Sequence, residues 1–433
     1  MKKPSLCSIV FLFSLASGAA LAAQADDFNS FKTCIENTTN ATCTLPYYST
    51  PYLVTSTINA TRSLTIQGTS GGSSYPVLMR PNGSTSMHNL LVISGNVSVT
   101  LQDLVFDGNR QNNGIPNYPG TASLNTVNGV HIEVYAGPFA DVVASYTGSN
   151  TGCWRCVVVN NVTFQNSVGY GLQMSRSGVE VEYCTFKSAF LSGAMSWESA
   201  GQLPLIYLEI YWSTFDDAGG SAIAFNNAGD GTASSQTNPN KGPNVNQNQF
   251  FENGREFPDR YECGGGAWGP CPLGQIFNVG TGLTAWSNTI DGNHVTGSYL
   301  VPTQPTLGTG GFEIYNSGHL ITGNPVIKNH VYPGIGITGG QNTKIIQNVT
   351  EFNNTGVQVR TATTGQWTNS HCVNVVSNTI ENNSGTGVQL LPATGAGASA
   401  ISYLTNTYSG NGTNYTPPPA GITNISSCPS YVQ

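Results

Sequence analysis

One short pattern constrains this chain more than any other: an Asn, four residues rich in apolar and β-branched types, and a second Asn. It recurs at Asn161/Asn166, Asn248/Asn253, Asn288/Asn293, Asn324/Asn329, Asn348/Asn353, Asn378/Asn383 and Asn406/Asn411. Two degenerate copies, YCTFKS at 183–188 and WSTFDD at 212–217, fit the same frame without gaps. Starts at 161, 183, 212, 248, 288, 324, 348, 378 and 406 give steps of 22, 29, 35, 40, 36, 24, 30 and 28 residues. The shortest steps set a basic unit, and the longer ones are units with inserted loops.

Each unit holds a second apolar/polar alternation after a glycine: GYGLQM (169–174), GSAIAF (220–225), GGFEIY (310–315), GIGITG (334–339), GVQVRT (356–361) and GVQLLP (387–392). Period-two alternation marks strands, and Gly marks their corners. A unit of two or three short strands cannot bury its apolar face alone. Stacking successive units buries that face and pairs each strand with its equivalents above and below, at rungs ~4.8 Å apart. An Asn repeated at a corner can bond its counterpart in the next rung, which satisfies the polar groups of a buried turn. Leucine-rich repeats need a denser Leu pattern, and propeller blades run to ~40–50 residues with signatures of their own. An antiparallel sandwich has no use for a recurring Asn pair.

The repeat resembles the right-handed parallel β-helix of the pectate lyase-like superfamily, over roughly 43–415. The resemblance implies an all-β solenoid acting on or binding a polysaccharide. That superfamily holds lyases, hydrolases, epimerases, adhesins and tailspikes, so the fold alone assigns no reaction. Asp216-Asp217 followed by GGSAIAF loosely resembles the paired aspartates of polygalacturonase-type hydrolases. The chain lacks that family's NTDG, GHG and RIK, so its catalytic roles are not carried over.

The ends fit a solenoid. Lys2 and Lys3, the apolar run Ile9 to Leu15 and Ala20-Leu21-Ala22 read as a signal peptide over 1–22, which places the mature protein outside the cytoplasm, secreted or periplasmic. Residues 23–42 form an N-terminal cap: DDFNSFKTCIEN predicts a short helix with Asp26 or Asp27 as its cap and Phe28, Phe31 and Ile35 on one face. Residues 416–433 form a Pro-rich tail. Nine of the ten cysteines follow the leader. Their spacing in an exported chain suggests disulfides Cys34–Cys43, Cys263–Cys271 and Cys372–Cys428, with Cys153, Cys156 and Cys184 as a further group.

Only 9% of residues are charged. Removing 1–22 takes two of the 15 basic residues and none of the 22 acidic ones, leaving 13 against 22, a net charge of −9. With no basic stripe, nucleic acid is not a partner. No apolar run after the leader reaches the ~18 residues of a membrane span, and a monomer is expected.

Scarce charge makes clusters visible. Glu252, Arg255, Glu256, Asp259, Arg260 and Glu262 crowd into eleven residues, within the longest step and beside the Cys263–Cys271 loop. A long, charge-rich, stapled insertion is how functional loops look. Aligning the copies stacks Gln165, Lys187, Asp216, Glu252 and Gly292 in one column, so Lys187, Asp216 and Glu252 fall on consecutive rungs. Two carboxyls ~5 Å apart suit the acid/nucleophile pair of a retaining glycosidase. They would equally suit a Ca²⁺ site. A lyase would instead take its base from Lys187, Arg255 or Arg260. Asp217 falls in the Asn-ladder position. Tyr211, Trp212 and Trp268 are candidates for stacking on sugar rings, and His294 for a further contact. No HxH or HExxH spacing suggests zinc. The leading expectation is a polysaccharide lyase or glycoside hydrolase. The competing one is a non-catalytic adhesive or matrix protein.

Overall fold

The computed structural model describes residues 6–84, 88–113, 140–145, 155–175, 178–189, 192–197, 207–218, 220–226, 243–251, 253, 274–278, 282–292, 310–330, 332–360, 371–391, 399–403, 405–416 and 422–424. Strands dominate and all pair in parallel with strands of neighbouring coils. Each full coil contributes three strands, one to each of three long parallel sheets, as in a right-handed parallel β-helix. Sheet 1 runs through strands such as Val157–Asn160, Gly178–Glu182, Tyr207–Tyr211 and Asn244–Asn246. Sheet 2 holds twelve strands, among them Thr163–Gln165, Thr185–Lys187, Thr214–Asp216 and Gln249–Phe251. Sheet 3 includes Tyr170–Ser175, Ala194–Trp197, Gly310–Ser317 and Thr355–Arg360. The long strand Pro333–Ile346 serves sheet 3 with its first half and sheet 1 with its second.

The middle residue of each sheet 2 strand points inward, and there the core becomes an aromatic stack. Phe106, Phe164, Phe186, Phe215 and Phe250 follow one another, with Phe186 and Phe215 4.5 Å apart and 1° from parallel. Ile290, Ile327, Thr350 and Ile380 continue the column, all buried. Rung spacing matches the preferred separation of offset rings, so one residue type repeated on one register supplies both pairing and packing.

The corner between sheets 1 and 2 is tight and carries a left-handed residue on nearly every coil: Asn161 (φ 53°), Tyr183 (52°), Trp212 (45°), Gln247 (57°), Ser287 (55°), Gln347 (58°) and Ser377 (58°). Such a conformation costs a side-chain-bearing residue about 1–2 kcal/mol. An amide ladder just after it offsets that cost. Asn248 accepts the Ser213 N–H at 2.9 Å and donates its Nδ2 to Ile210 O at 2.9 Å. Asn288, Asn324, Asn348, Asn378 and Asn406 extend the ladder rung by rung. A second ladder, Asn353–Asn383–Asn411, lines the corner between sheets 2 and 3.

Helix α1 spans Leu6–Asn37, starting well before residue 23. Phe31 and Ile35 are buried over the first coil, with Phe28 packed beside them. Asp26 and Asp27 lie inside the helix rather than at its cap, because helical backbone continues upstream. Asp27 instead accepts the Tyr48 hydroxyl at 2.7 Å. Cys34 and Cys43 form a disulfide that ties helix to first strand. Cys372 is a free, buried thiol, so the Cys372–Cys428 pairing fails. It occupies a left-handed position (φ 59°) within a sheet 1 strand. Cys184 is also free and buried, and its thiol faces Val159 O and Glu182 O. Cys156 is disulfide-bonded. Cys263 and Cys271 lie outside the described residues. At the far end Ile422–Asn424 pairs with Ser399–Ser402, so the tail contributes a strand beyond residue 415.

Candidate functional site

Lys187 and Asp216 are register partners on the outer face of sheet 2, as the repeat implied. The next residue in that column is Phe251, not Glu252, followed by Asp291 and Lys328. The frame slips by one residue between early and late copies. In the copies at 161, 183 and 212 the first residue is the left-handed corner itself, and Ser213 holds the ladder place. From Asn248 onward the first residue is the ladder amide. The five-residue spacing is constant while its phase is not, and inward Phe215 over Phe250 fixes the true register. Asp217 is likewise a corner residue (φ 59°), accepting the Ser188 hydroxyl at 2.9 Å. The ladder place above Asn253 belongs to Ala218.

Asp216 is half-buried, with Oδ1 enclosed and no hydrogen bond to it among the described residues. Burial, reinforced by Asp217 and opposed by Lys187, pushes its carboxyl up to about 6. Trp212 lies outside that strand, at the left-handed corner between sheets 1 and 2. Its ring stacks on Tyr183 at 5.0 Å and 11°, with Tyr211 tilted against it. Both stacked rings are exposed, but their faces are turned to each other along the coil axis. Glu252, Arg255, Glu256, Asp259, Arg260, Trp268 and His294 lie outside the described residues.

The insertions converge on sheet 3. Segments 114–139, 254–273 and 293–309 lead into it, and 146–154, 198–206, 227–242, 361–370 and 392–398 lead out. The charge-rich segment thus enters at the strand Gly274–Asn278. A strand face with long connections at both edges is where a binding groove forms. Several outward-facing residues of sheet 3 are buried: Val143, Met195 and Ala224 in the early coils, then Glu313, Thr338 and Gln358.

This outer face changes chemistry along its length. Glu313, Gly336, Gln358 and Gln389 form one outward column, and Tyr315, Thr338, Arg360 and Leu391 the next. Glu313 is 2% exposed. Its carboxylate occupies the space that Gly336 leaves open, where a Cβ would collide with it. Arg360 Nη1 stands 3.4 Å from Glu313 Oε1, two rungs away. Arg360 Nε donates to Gln358 Oε1, and Gln358 Nε2 to Gln389 Oε1, so a chain of polar side chains fixes the guanidinium. Burial raises the Glu313 carboxyl above the usual carboxylate range, against the pull of Arg360 and of a hydrogen bond from Tyr315. Burial and the neighbouring Glu313 carboxylate raise the Tyr315 phenol as well. Thr338 Oγ1 is enclosed and lies close enough to Glu313 to favour the charged carboxylate.

A second polar group decorates sheet 1. Arg155 pairs with Glu180 at 2.7 Å and Glu209 at 3.6 Å, while Asn160 donates to Glu182 at 3.0 Å. Burial and a hydrogen bond with Glu182 push Glu180 up to about 7. Among the described residues no group of three or more His, Cys, Asp or Glu is arranged to hold a metal ion. No described helix is long and apolar enough to cross a membrane.

No protein-family model matches the sequence, and no curated protein matches it. Solved structures do. The catalytic unit of a thermostable GH87 α-1,3-glucanase from Streptomyces thermodiastaticus strain HF3-3 superposes with TM-score 0.54 at 14% identity, over 92% of this chain and 64% of that one. This chain is a parallel β-helix protein. It thus spans somewhat under two thirds of the glucanase unit. The A-module of the mannuronan C-5 epimerase AlgE4 of Azotobacter vinelandii gives 0.46 at 14% identity, over 89% and 91% of the two chains. These likenesses are of fold.

Sequence reading missed Glu313, Tyr315 and Arg360 because GGFEIY and GVQVRT register as strands before they register as chemistry. The signal was present. Alternation turns Phe312, Ile314, Val357 and Val359 inward, which leaves Glu313, Tyr315 and Arg360 outward in a chain short of charge.

Proposed function

We propose that this is an exported carbohydrate-active enzyme, a polysaccharide lyase or glycoside hydrolase, that binds an extended glycan in the groove over sheet 3. The observation that carries this reading is the outward-facing array Glu313–Tyr315–Arg360, built around the buried Glu313 carboxylate and set on the sheet whose strands receive the long insertions. A carboxyl perturbed by burial beside a specific charge partner is a functional-site candidate. The glucanase of the same fold is a precedent for a glycan on this scaffold. In this reading the charge-rich segment from Glu252 to Arg260, together with Trp268 and His294, stays a source of candidate substrate contacts on the strength of the sequence alone. Lys187 and Asp216, on the sheet 2 side of the adjoining corner, contact the chain where it leaves the groove, and Tyr211 and Trp212 lie further out. The observed register removes the rung spacing from an Asp216–Glu252 acid/nucleophile pair.

The test is a depolymerisation screen of the mature protein against pectins, alginate, glycosaminoglycans and neutral glucans, with and without added Ca²⁺. Reducing ends and ultraviolet absorbance of unsaturated products are followed together. Cleavage of any glycan supports the reading. Silence across the panel with retained glycan binding replaces it by the non-catalytic adhesive protein.

A further inference from the structure

We propose that the chain carries a second, non-catalytic binding site, for an uncharged glycan, on the outer face of sheet 1, where Tyr211 and Trp286 stand on either side of Asn246. This site is separate from the groove over sheet 3 and does not depend on catalysis there. Tyr211, Asn246 and Trp286 are register partners on three successive rungs. The residues before them, Ile210, Val245 and Ala285, are buried in the core, so these three side chains point outward. The two rings thus rise from strands two rungs apart, ~9.6 Å at the rung spacing, with a shorter amide between them. Tyr211 leans against Trp212, whereas Trp286 is 38% exposed and stacks on no ring among the described residues.

The amide between the rings points to the ligand. Asn246 faces outward yet is 2% exposed. Its Nδ2 donates to Asn244 Oδ1 at 2.7 Å, while its own Oδ1 is enclosed and has no donor among the described residues. The ladder amides next to it are satisfied from rung to rung, as Asn248 and Asn288 show. An enclosed acceptor left unmet forfeits the hydrogen bond it would make to water, and a ligand hydroxyl entering between the rings restores it. Trp286, exposed and unstacked, is the ring that turns aside to admit one. A sugar offers C–H faces to aromatic rings and hydroxyls at its rim, so it meets ring, amide and ring together.

Charge selects an uncharged chain. Glu182 is the register partner of Tyr211, and Glu209 that of Asn244. Arg155, on the same face, is engaged by Glu180 and Glu209. An acidic chain laid here meets two carboxylates on a protein of net negative charge, whereas hydroxyls find acceptors. The place is open to a long ligand. Two residues separate Tyr211, Asn246 and Trp286 from the sheet 2 strands that begin at Thr214, Gln249 and Thr289. The insertions 198–206 and 227–242 join these coils at the other end of the sheet 1 strands. Along the corner the exposed Tyr183 and Trp212 extend the ring surface, so a chain running along the coil axis meets rings on three of four successive coils.

The experiment is native electrophoresis of the full mature chain through gels containing an uncharged polysaccharide (xylan, galactomannan, mixed-linkage β-glucan or dextran), with pectate and alginate gels for comparison. Wild-type protein should be retarded by at least one of the four. Trp286→Ala should weaken that retardation about tenfold or more, the scale of losing an aromatic anchor, and migrate as wild type through pectate and alginate. Asn246→Ala should weaken it severalfold without lowering Tm, because the acceptor it removes has no partner to lose; an asparagine with a purely structural role would lower Tm and leave binding intact. Absence of retardation by all four, or wild-type retardation in Trp286→Ala or in Asn246→Ala, overturns the inference. The depolymerisation screen decides the enzyme reading separately. Cleavage there without retardation here removes this site alone, and retardation that Trp286→Ala abolishes, beside a silent screen, removes the enzyme reading alone.

Discussion

At the scale of single residues, the chain concentrates its few charges in enclosed places, and this sets its response to pH. Asp141 is fully buried, 3.7 Å from the buried Arg80 guanidinium, and accepts the Ser167 hydroxyl at 2.5 Å. Burial outweighs Arg80 and pushes its carboxyl up to about 7. Glu180, at about 7, and Asp216, at about 6, share that direction. A carboxyl raised in the folded state holds a proton that the unfolded chain releases from about pH 4 upward. Its stabilisation is therefore complete below about pH 4 and is lost as pH rises through about 7. Each unit of raised pKa at a fully buried site is worth about 1.4 kcal/mol. Thermal unfolding followed by circular dichroism should show Tm falling from about pH 4 to about pH 8, with a shallower slope in Asp141→Asn. A Tm that rises over that range would sink the argument. Sequence reading had no access to this behaviour. Asp141 lies in PFADVVAS, where nothing marks it as the partner of Arg80, 61 residues away (141 − 80).

At the scale of the element, the Asn pair both reveals the fold and misleads about register. Its recurrence made strands, corners and stacking legible, because only a solenoid places one residue type at equivalent corners again and again. Its phase was not legible. Asn161 uses its tolerance of left-handed backbone, whereas Asn288 uses its amide, and the letter is the same. The inward column of Phe106, Phe164, Phe186, Phe215 and Phe250 carries the better register signal, since a slip by one residue turns a Phe to solvent. The two elements predict different losses. Asn288→Ala leaves the Asn248 N–H without its acceptor, removes one of the acceptors of the Asn248 side-chain amide and takes that amide donor from Val245 O, which should cost about 2–3 kcal/mol in denaturant unfolding. Phe215→Ala opens a cavity between two stacked rings and should cost about 3–5 kcal/mol. If Asn288→Ala unfolds at the wild-type midpoint, the ladder is not what holds the corner. Reducing Cys34–Cys43 releases a short loop with a sequence separation of 9, worth about 2–3 kcal/mol.

At the scale of the whole molecule, a solenoid has to be ended. Among the described residues, internal strands find neighbours on both sides, but the first coil, with Thr42–Leu45, Tyr52–Leu53 and Ile58–Ala60, has only α1 beneath it. Phe31 and Ile35 close that end, and Lys32 reinforces it by donating to Thr57 O at 2.7 Å. The segment that performs this work, from about Gln24 to Asn37, lies beyond the Ala20-Leu21-Ala22 site, so cleavage there would leave the cap intact, and under the proposed export N-terminal sequencing should begin at Ala23. Open strand edges template pairing with other chains. Ile35→Asp removes a side chain worth about 1.5–3 kcal/mol of burial and sets a charge against the coil. The consequence should appear in association more than in local stability, because each coil leans mainly on its neighbours and the distant coils stay folded. Size-exclusion chromatography with light scattering should find wild-type protein as monomer and Ile35→Asp as concentration-dependent higher species, with an unchanged β signal in the far ultraviolet. A monomeric Ile35→Asp protein at every concentration would mean that the first coil protects its own edges and that α1 is dispensable to the solenoid.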